Sequence, residues 1–183
     1  MKTPIRHVVI VVQENRTFDN LFAGYPGADT TMQGKTHDGK TVPLREITFA
    51  KVNLNHFYAD ARIGFNGGSM NGFDEIPTNP PFTSLTPYSY VNRSLIKPYW
   101  DIAHQYVLAD HMFPTQFGPS FTAHLDLIAG TTTVSQTASV VDMAMLGSVV
   151  EPGRCDDPPG TVTSLLTSDG RYLAGQGPAP CFS

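Results

Sequence analysis

The hydrophobic pattern of the chain opens with five consecutive apolar residues at positions 8–12. A strand with one face in water alternates apolar and polar residues, so this run predicts a strand that is covered on both faces, inside a parallel sheet. Glu14 and Asn15 follow shortly after the run. In open parallel sheets, ligands bind beyond the carboxyl ends of the strands, where these two side chains would lie. An ordinary polar turn between a strand and a helix fits the same residues, so the local pattern leaves both interpretations open.

Apolar spacing and capping residues predict three helices. Thr17 is a suitable N-cap for a short helix that ends near residue 22. Pro98 suits the first turn of a second helix. The apolar residues of that helix share one face at spacings of three, four and seven: Tyr99, Ile102, Ala103 and Tyr106. A third helix is predicted to begin at Ser120 and to end at Gly130, a residue type that commonly closes helices.

The order of the predicted elements favours an α/β fold. Residues 107–110 are mostly apolar and predict a second short buried strand directly after the second helix. A strand, helix, strand order is typical of a parallel sheet flanked by helices. Between these elements, the pair Asp38-Gly39 predicts a hairpin in an otherwise irregular region, and His37 beside it is expected to be a solvated loop histidine. The proline-rich segment 74–93 predicts an ordered loop over the site.

Composition narrows the class of protein. A chain of 183 residues suits one domain and can bury a sizeable core. The formal net charge of −4, without any basic tract, argues against a nucleic-acid partner. No apolar run approaches the length of a membrane span, and no signal peptide is visible. Cys155 and Cys181 fit either one disulfide, which would favour an extracytoplasmic compartment, or two buried thiols.

A long motif at the start of the chain adds a family resemblance. Positions 5–22 read IRHVVIVVQENRTFDNLF. This motif resembles the opening signature of the phosphoesterase family, which contains bacterial acid phosphatases and phospholipases C of the non-haemolytic type. The resemblance implies a fold similar to that of alkaline phosphatase. It also implies that Glu14 and Asn15 contribute to a site for a divalent metal ion and for phosphate, and that Asn15 binds substrate.

His56 lies in a second stretch with a family counterpart. The stretch begins like a helix and continues through Asn66-Gly67-Gly68. It resembles a family segment that carries a histidine and then an Asn-Gly-Gly turn, although this chain has Asn71 where the family usually has Asp. The resemblance implies that His56 hydrogen-bonds the phosphoryl group or protonates the leaving oxygen, which an imidazole titrating near neutrality can do. A capping or core histidine is the alternative.

Ser120 is the candidate nucleophile. At a helix N-terminus, a serine is often an N-cap, but the free N–H groups and partial positive charge there also bind phosphate and favour an attacking alkoxide. Positions 118–124, GPSFTAH, resemble the nucleophile region of the acid phosphatase branch, whereas phospholipases C typically carry Thr. Ser120 is then also the third implied metal ligand. Thr122 is a second-choice nucleophile, and His111 and His124 are taken as structural.

The resemblance therefore implies a metal-dependent hydrolase that acts on small phosphate esters through a phosphoserine intermediate. The alternatives are a phospholipase C acting on phospholipid headgroups and an inactive, truncated phosphate-binding remnant. A hard divalent cation takes about six oxygen ligands, and Glu14, Asn15 and Ser120 supply three. Because the later Asp pair of the family cannot be found, residues 1–183 are expected to be the N-terminal portion of one catalytic domain. Cys155 and Cys181 also match two cysteines of the family, so the resemblance implies a disulfide between them and a periplasmic or secreted protein.

Overall fold

The structure, a computed structural model, describes residues 4–49, 54–153 and 155–179. It is a mixed α/β arrangement of short elements. The helices are α1 (Phe18–Phe22), α2 (Tyr58–Phe65), α3 (Lys97–Gln105) and α4 (Ser120–Ala129), with 3₁₀ turns at Asn66–Gly68, Phe73–Glu75 and Arg93–Leu95. The strands are β1 (Gln33–Lys35), β2 (Thr41–Pro43), β3 (Arg45–Ile47), β4 (Ser89–Val91), β5 (Thr133–Ser135), β6 (Ala138–Val140), β7 (Ala144–Leu146), β8 (Val149–Glu151), β9 (Val162–Thr167) and β10 (Tyr172–Pro178).

The strands form three sheets that are mostly antiparallel. The largest has the order β5-β6-β9-β7-β8, and β10 pairs with the other edge of β9. Strands β1 and β2 form an antiparallel hairpin, whereas β3 and β4 pair in parallel. The predicted mixture of helices and strands is therefore confirmed, but the mainly parallel sheet similar to that of alkaline phosphatase is not: among the described strands, β3 and β4 are the single parallel pair.

The prediction of buried strands at 8–12 and 107–110 is wrong in this structure. Neither segment is a strand, and the side chains of residues 8–12 are 56–85% exposed. Val107 is 86% exposed. A central apolar strand needs hydrogen-bonding neighbours at both edges and a covering layer on both faces. No described strand supplies either to these segments, so their apolar side chains remain in solvent.

The predicted helices are confirmed because local capping determines them. The Thr17 hydroxyl accepts a hydrogen bond from the Asn20 N–H at 3.2 Å and caps α1. Pro98 lies in the first turn of α3. Gly130 ends α4 with a φ of 68°, a left-handed conformation that glycine adopts without a steric penalty. The apolar stripe of α3 is less buried than its spacing predicts, since Ile102 is 59% exposed.

A buried carboxylate joins the antiparallel sheet to α2. Asp142 is 3% exposed, and its two oxygens accept hydrogen bonds from the Tyr58 N–H at 2.8 Å and from the Tyr172 hydroxyl at 2.7 Å. Burial raises the pKa of Tyr172, so its hydroxyl remains a donor at neutral pH. The rings of Tyr58 and Tyr172 stack at 5.2 Å. This network fixes the first turn of α2, which begins two residues after His56.

A second network holds the predicted hairpin around Asp38-Gly39, which the structure confirms. His37 lies in its turn, where the ring Nδ1 is 2.6 Å from Asp74 Oδ2. The other Asp74 oxygen accepts hydrogen bonds from the His37 backbone N–H and from the Tyr88 hydroxyl, each at 3.0 Å. His37 is half exposed, as expected for a loop, but it is an ion-pair partner rather than merely solvated.

The His37 pair predicts a pH dependence of stability. The hydrogen bond to Asp74 raises the pKa of His37 above its ordinary 6.5. A raised folded-state pKa means that this stabilisation is complete below the unfolded pKa and is lost as the pH rises through the folded pKa. Urea unfolding at about pH 5.5 and about pH 8.5 should therefore give a smaller pH difference in stability for His37→Gln than for the unsubstituted chain. Equal differences in the two proteins would contradict this assignment.

Candidate functional site

A cavity with several polar side chains in its wall brings together two of the predicted site residues. It has a volume of about 280 Å³, and both Asn15 and His56 line it. The other polar side chains around it belong to Arg16, Thr17, Asn20, Asn55, Thr86 and Ser89. Thr86 and Ser89 come from the segment predicted to form a loop over the site. Of the described residues that line the cavity, Arg16 is the one charged side chain apart from any protonated histidine, so the lining favours an anionic ligand.

The backbone turns sharply at Asn15. Its φ of 68° is in the left-handed region, which Asn tolerates better than most residues. The Arg16 guanidinium donates a hydrogen bond to the Asn15 carbonyl oxygen at 2.7 Å. On the far side of this turn, the Asn20 amide donates to the Ser89 carbonyl oxygen at 2.9 Å and joins α1 to β4. These contacts fix Asn15 at the cavity wall although residues 8–12 form no strand.

His56 uses one ring nitrogen in a hydrogen bond to the backbone, which leaves the other for a different role. Its Nδ1 lies 2.8 Å from the Leu54 carbonyl oxygen. A carbonyl oxygen only accepts, so Nδ1 carries the hydrogen. In the neutral ring, Nε2 is then an acceptor, and after protonation it is a donor. His56 is exposed at the cavity, so Nε2 is in a position to accept a hydrogen bond or to deliver a proton.

Ser120 is the first residue of α4 rather than its N-cap. Pro119 occupies the N-cap position and makes no side-chain cap hydrogen bond, so the interpretation of Ser120 as an N-cap is wrong. Ser120 is partly exposed, and the N–H groups of the first helical turn are beside it. Thr122, the second-choice nucleophile, is fully buried and donates to the Pro119 carbonyl oxygen at 3.0 Å, which argues against a nucleophilic role.

Gly118 lets the chain pass close to neighbouring atoms just before α4 begins. Its φ is 149°, and a Cβ there would lie 2.8 Å from the Val141 carbonyl oxygen and 2.8 Å from Thr122 Oγ1. Real Cβ contacts are not that short, so any side chain would displace either the helix start or the segment beside β6. Glycine at this position therefore lets Ser120 begin the helix against the antiparallel sheet.

Glu14 lies against α4. Its Oε2 is 3.1 Å from Nε2 of His124, and both side chains are about half exposed. His124 is four residues after Ser120, so the two share one face of the helix one turn apart. His124 was predicted to be structural, and the structure places its ring against Glu14, a predicted metal ligand. The spacing between Ser120 and His124 is the sequence signal that could have identified it.

The predicted residues thus form two groups. Asn15 and His56 line the cavity, while Glu14 lies against the helix that begins with Ser120. The peptide bond between Glu14 and Asn15 joins the groups. Ser120 does not line the cavity, and no hydrogen bond among the described residues joins its side chain to Asn15 or His56.

The oxygen donors of Glu14, Asn15 and Ser120 are of the kind that a hard divalent cation takes. They form a partial set. In residues 4–49, 54–153 and 155–179, no cluster of three or more His, Cys, Asp or Glu side chains could hold a metal ion by itself. The donor chemistry therefore fits a divalent ion, while the number of donors is below the usual six.

Other features of the described chain lie apart from this site. A larger cavity of about 480 Å³ is lined by Tyr25, Pro26, Trp100, Asp101 and His104, and it contains none of the predicted residues. Cys155 is exposed, whereas Cys181 lies outside the described residues, so their pairing stays a prediction. No helix within the described part of the chain is long and apolar enough to span a membrane.

Comparison with known proteins identifies a family. The model of the phosphoesterase family matches residues 5–171, which is most of the chain. The match includes both groups of site residues. No curated protein matches the chain.

Proposed function

Because the chain belongs to the phosphoesterase family, we propose that it hydrolyses phosphate monoesters by the acid phosphatase route, with Ser120 as the nucleophile. Family membership identifies a hydrolase acting on phosphate esters, and members are generally metal-dependent. The proposal that the substrate is a phosphate monoester rests on the cavity that Asn15 and His56 both line. Arg16 is the cationic side chain in its wall, and its described lining residues include no carboxylate. A dianionic phosphoryl group suits that lining.

In this mechanism, the phosphoryl group lies over the Glu14–Asn15 peptide, between the cavity and the start of α4. The Asn15 amide and the Arg16 guanidinium hold phosphoryl oxygens, because both are hydrogen-bond donors at the cavity wall. The Ser120 hydroxyl gives its proton to solvent water, and its oxygen attacks phosphorus from the side opposite the leaving oxygen, beside the free N–H groups of the first turn of α4. The bond between phosphorus and the leaving ester oxygen breaks as the new bond forms. His56, protonated at Nε2, gives its proton to the leaving oxygen. Water then hydrolyses the phosphoserine.

Glu14, Asn15 and Ser120 would hold the divalent cation, which when bound stabilises negative charge on the phosphoryl oxygens and on the serine oxygen. Arg16 and His56 act without the cation, and together with Asn15 they bind and orient the ester. The volume of about 280 Å³ suits a small phosphate ester. The cysteine pair and the family together support an extracytoplasmic location as part of this proposal.

Hydrolysis assays with two substrates, each with and without the metal, separate this proposal from its alternatives. We expect the purified chain to hydrolyse an aryl phosphate in the presence of Mn²⁺ or Mg²⁺, to lose that activity with a chelator, and to regain it when the metal is restored. Faster hydrolysis of phosphatidylcholine vesicles than of the aryl phosphate would instead identify a phospholipase C. No turnover of either substrate by the folded chain, together with binding of inorganic phosphate, would identify a phosphate-binding remnant.

A further inference from the structure

The contact between Glu14 and His124 joins two segments of the site that are far apart in the sequence. Glu14 follows the N-terminal apolar run, and His124 lies on α4, 110 residues later in the sequence. Their side chains meet at 3.1 Å between Oε2 and Nε2. A carboxylate only accepts hydrogen bonds, so the imidazole Nε2–H is the donor. This hydrogen bond attaches the Glu14 side chain to the helix that begins with Ser120.

The hydrogen bond leaves one carboxylate oxygen for another partner. In the described part of the chain, Glu14 Oε1 makes no hydrogen bond, while Oε2 is held by His124. Metal-ligating side chains are commonly oriented by a hydrogen bond to a second residue, and loss of that residue weakens metal binding by about 10- to 100-fold. A half-exposed glutamate without such a partner has three side-chain torsions to immobilise before it can bind.

The helix supplies the rigidity that this role requires. His124 is in the second turn of α4, between the buried residues Thr122 and Leu125, which anchor the helix against the rest of the fold. Ser120 is one turn earlier on the same face. A carboxylate bonded to His124 is therefore held at a fixed distance along the helix from the Ser120 hydroxyl.

From this geometry we propose that His124 is a positioning residue for Glu14. Its Nε2–H holds Oε2 of Glu14, so that Oε1 is presented toward a divalent cation beside Ser120. The inference rests on the proposed function, in which Glu14 is a metal ligand, and it assigns to His124 a role that neither the motif nor the family match supplies.

The chain contains a matched control for this histidine. His111 Nε2 is 3.0 Å from Asp29 Oδ2, so it makes the same kind of imidazole–carboxylate contact, also half exposed or more. Neither His111 nor Asp29 lines the cavity or lies on α4. A general effect of losing an exposed histidine–carboxylate pair should therefore appear equally in His111→Leu and His124→Leu.

The test is a titration of the full chain with Mn²⁺, followed by the relaxation of water protons, which detects the bound ion without any substrate. Circular dichroism confirms that each variant is folded. We expect His124→Leu to bind Mn²⁺ about 10- to 100-fold more weakly than the unsubstituted chain. His124→Gln, whose amide N–H can replace the Nε2–H, should largely restore binding, and His111→Leu should bind normally. In a Glu14→Gln background, His124→Leu should cause no further loss.

Three results would overturn the inference alone: unchanged Mn²⁺ binding by His124→Leu, equal weakening by His124→Gln and His124→Leu, or a further loss on the Glu14→Gln background. Two other results would contradict the proposed function itself. If the unsubstituted chain binds no Mn²⁺, or if Glu14→Gln binds as tightly as the unsubstituted chain, then Glu14 is not a metal ligand, and the role of His124 falls with it.

Discussion

Replacement of Ser120 by alanine should reduce hydrolysis of an aryl phosphate by a factor on the order of 10³ or more, because the attacking oxygen is removed. The fold should be unaffected. Ser120 is the first helical residue and not the N-cap, and alanine is favourable within a helix, so the substitution removes no capping hydrogen bond. A loss of turnover with unchanged unfolding free energy would therefore assign the chemistry to this oxygen.

Steady-state kinetics on purified variants is the measurement. Ser168→Ala is the control, since Ser168 is an exposed serine in the turn between β9 and β10 and belongs to neither group of site residues. It should keep full activity. If Ser120→Ala retained activity within a few-fold of the unsubstituted chain, the serine would not be the nucleophile, and the buried Thr122 would not be a ready substitute for it.

Removal of the Asp142 carboxylate should destabilise the fold by roughly 3 kcal/mol. Asp142 is almost fully buried, and Asp142→Ala would leave the Tyr58 N–H and the Tyr172 hydroxyl without the acceptor that each uses now. Hydrogen bonds to a charged group contribute about 1.5–3 kcal/mol each, and buried donors left unsatisfied are costly. Asp142→Asn keeps one carbonyl oxygen for Tyr58 and should lose less than Asp142→Ala.

Urea unfolding with a constant m-value would measure both variants. Tyr172→Phe removes one of the two donors and should account for only part of the alanine effect. The variant Asp169→Ala provides the surface comparison, because Asp169 is an exposed carboxylate paired with Arg171. Exposed ion pairs contribute little to stability, so this variant should lose far less stability than Asp142→Ala. A loss of that small size in Asp142→Ala would mean that the buried network contributes little.

Local sequence signals predicted the helices and the hairpin correctly. Thr17, Pro98 and Gly130 each act within one helical turn, so their effect does not depend on the rest of the fold. The strand prediction for residues 8–12 failed for the opposite reason. An apolar run becomes a buried strand only where neighbouring strands and covering layers exist, and the sequence pattern does not show whether they are present.

The same distinction applies to the site. Motif resemblance pointed to Asn15 and His56, and the structure places both at one cavity. The contacts of Asp142 and His124 were not predicted, because Asp142 and Tyr58 are 84 residues apart in the sequence and His124 and Glu14 are 110 residues apart. Nothing in the residues next to Asp142 identifies its partners, and a single histidine on a helix carries little information until its partner is known.

Capture of the covalent intermediate would test the central claim most directly. The purified chain would be mixed with an aryl phosphate and Mn²⁺, quenched in acid within the first turnovers, digested and analysed by mass spectrometry. Our account predicts one added phosphoryl group on the peptide that contains Ser120, and none in the Ser120→Ala variant. Turnover with no phosphorylated peptide, or with the phosphoryl group on another residue, would contradict it.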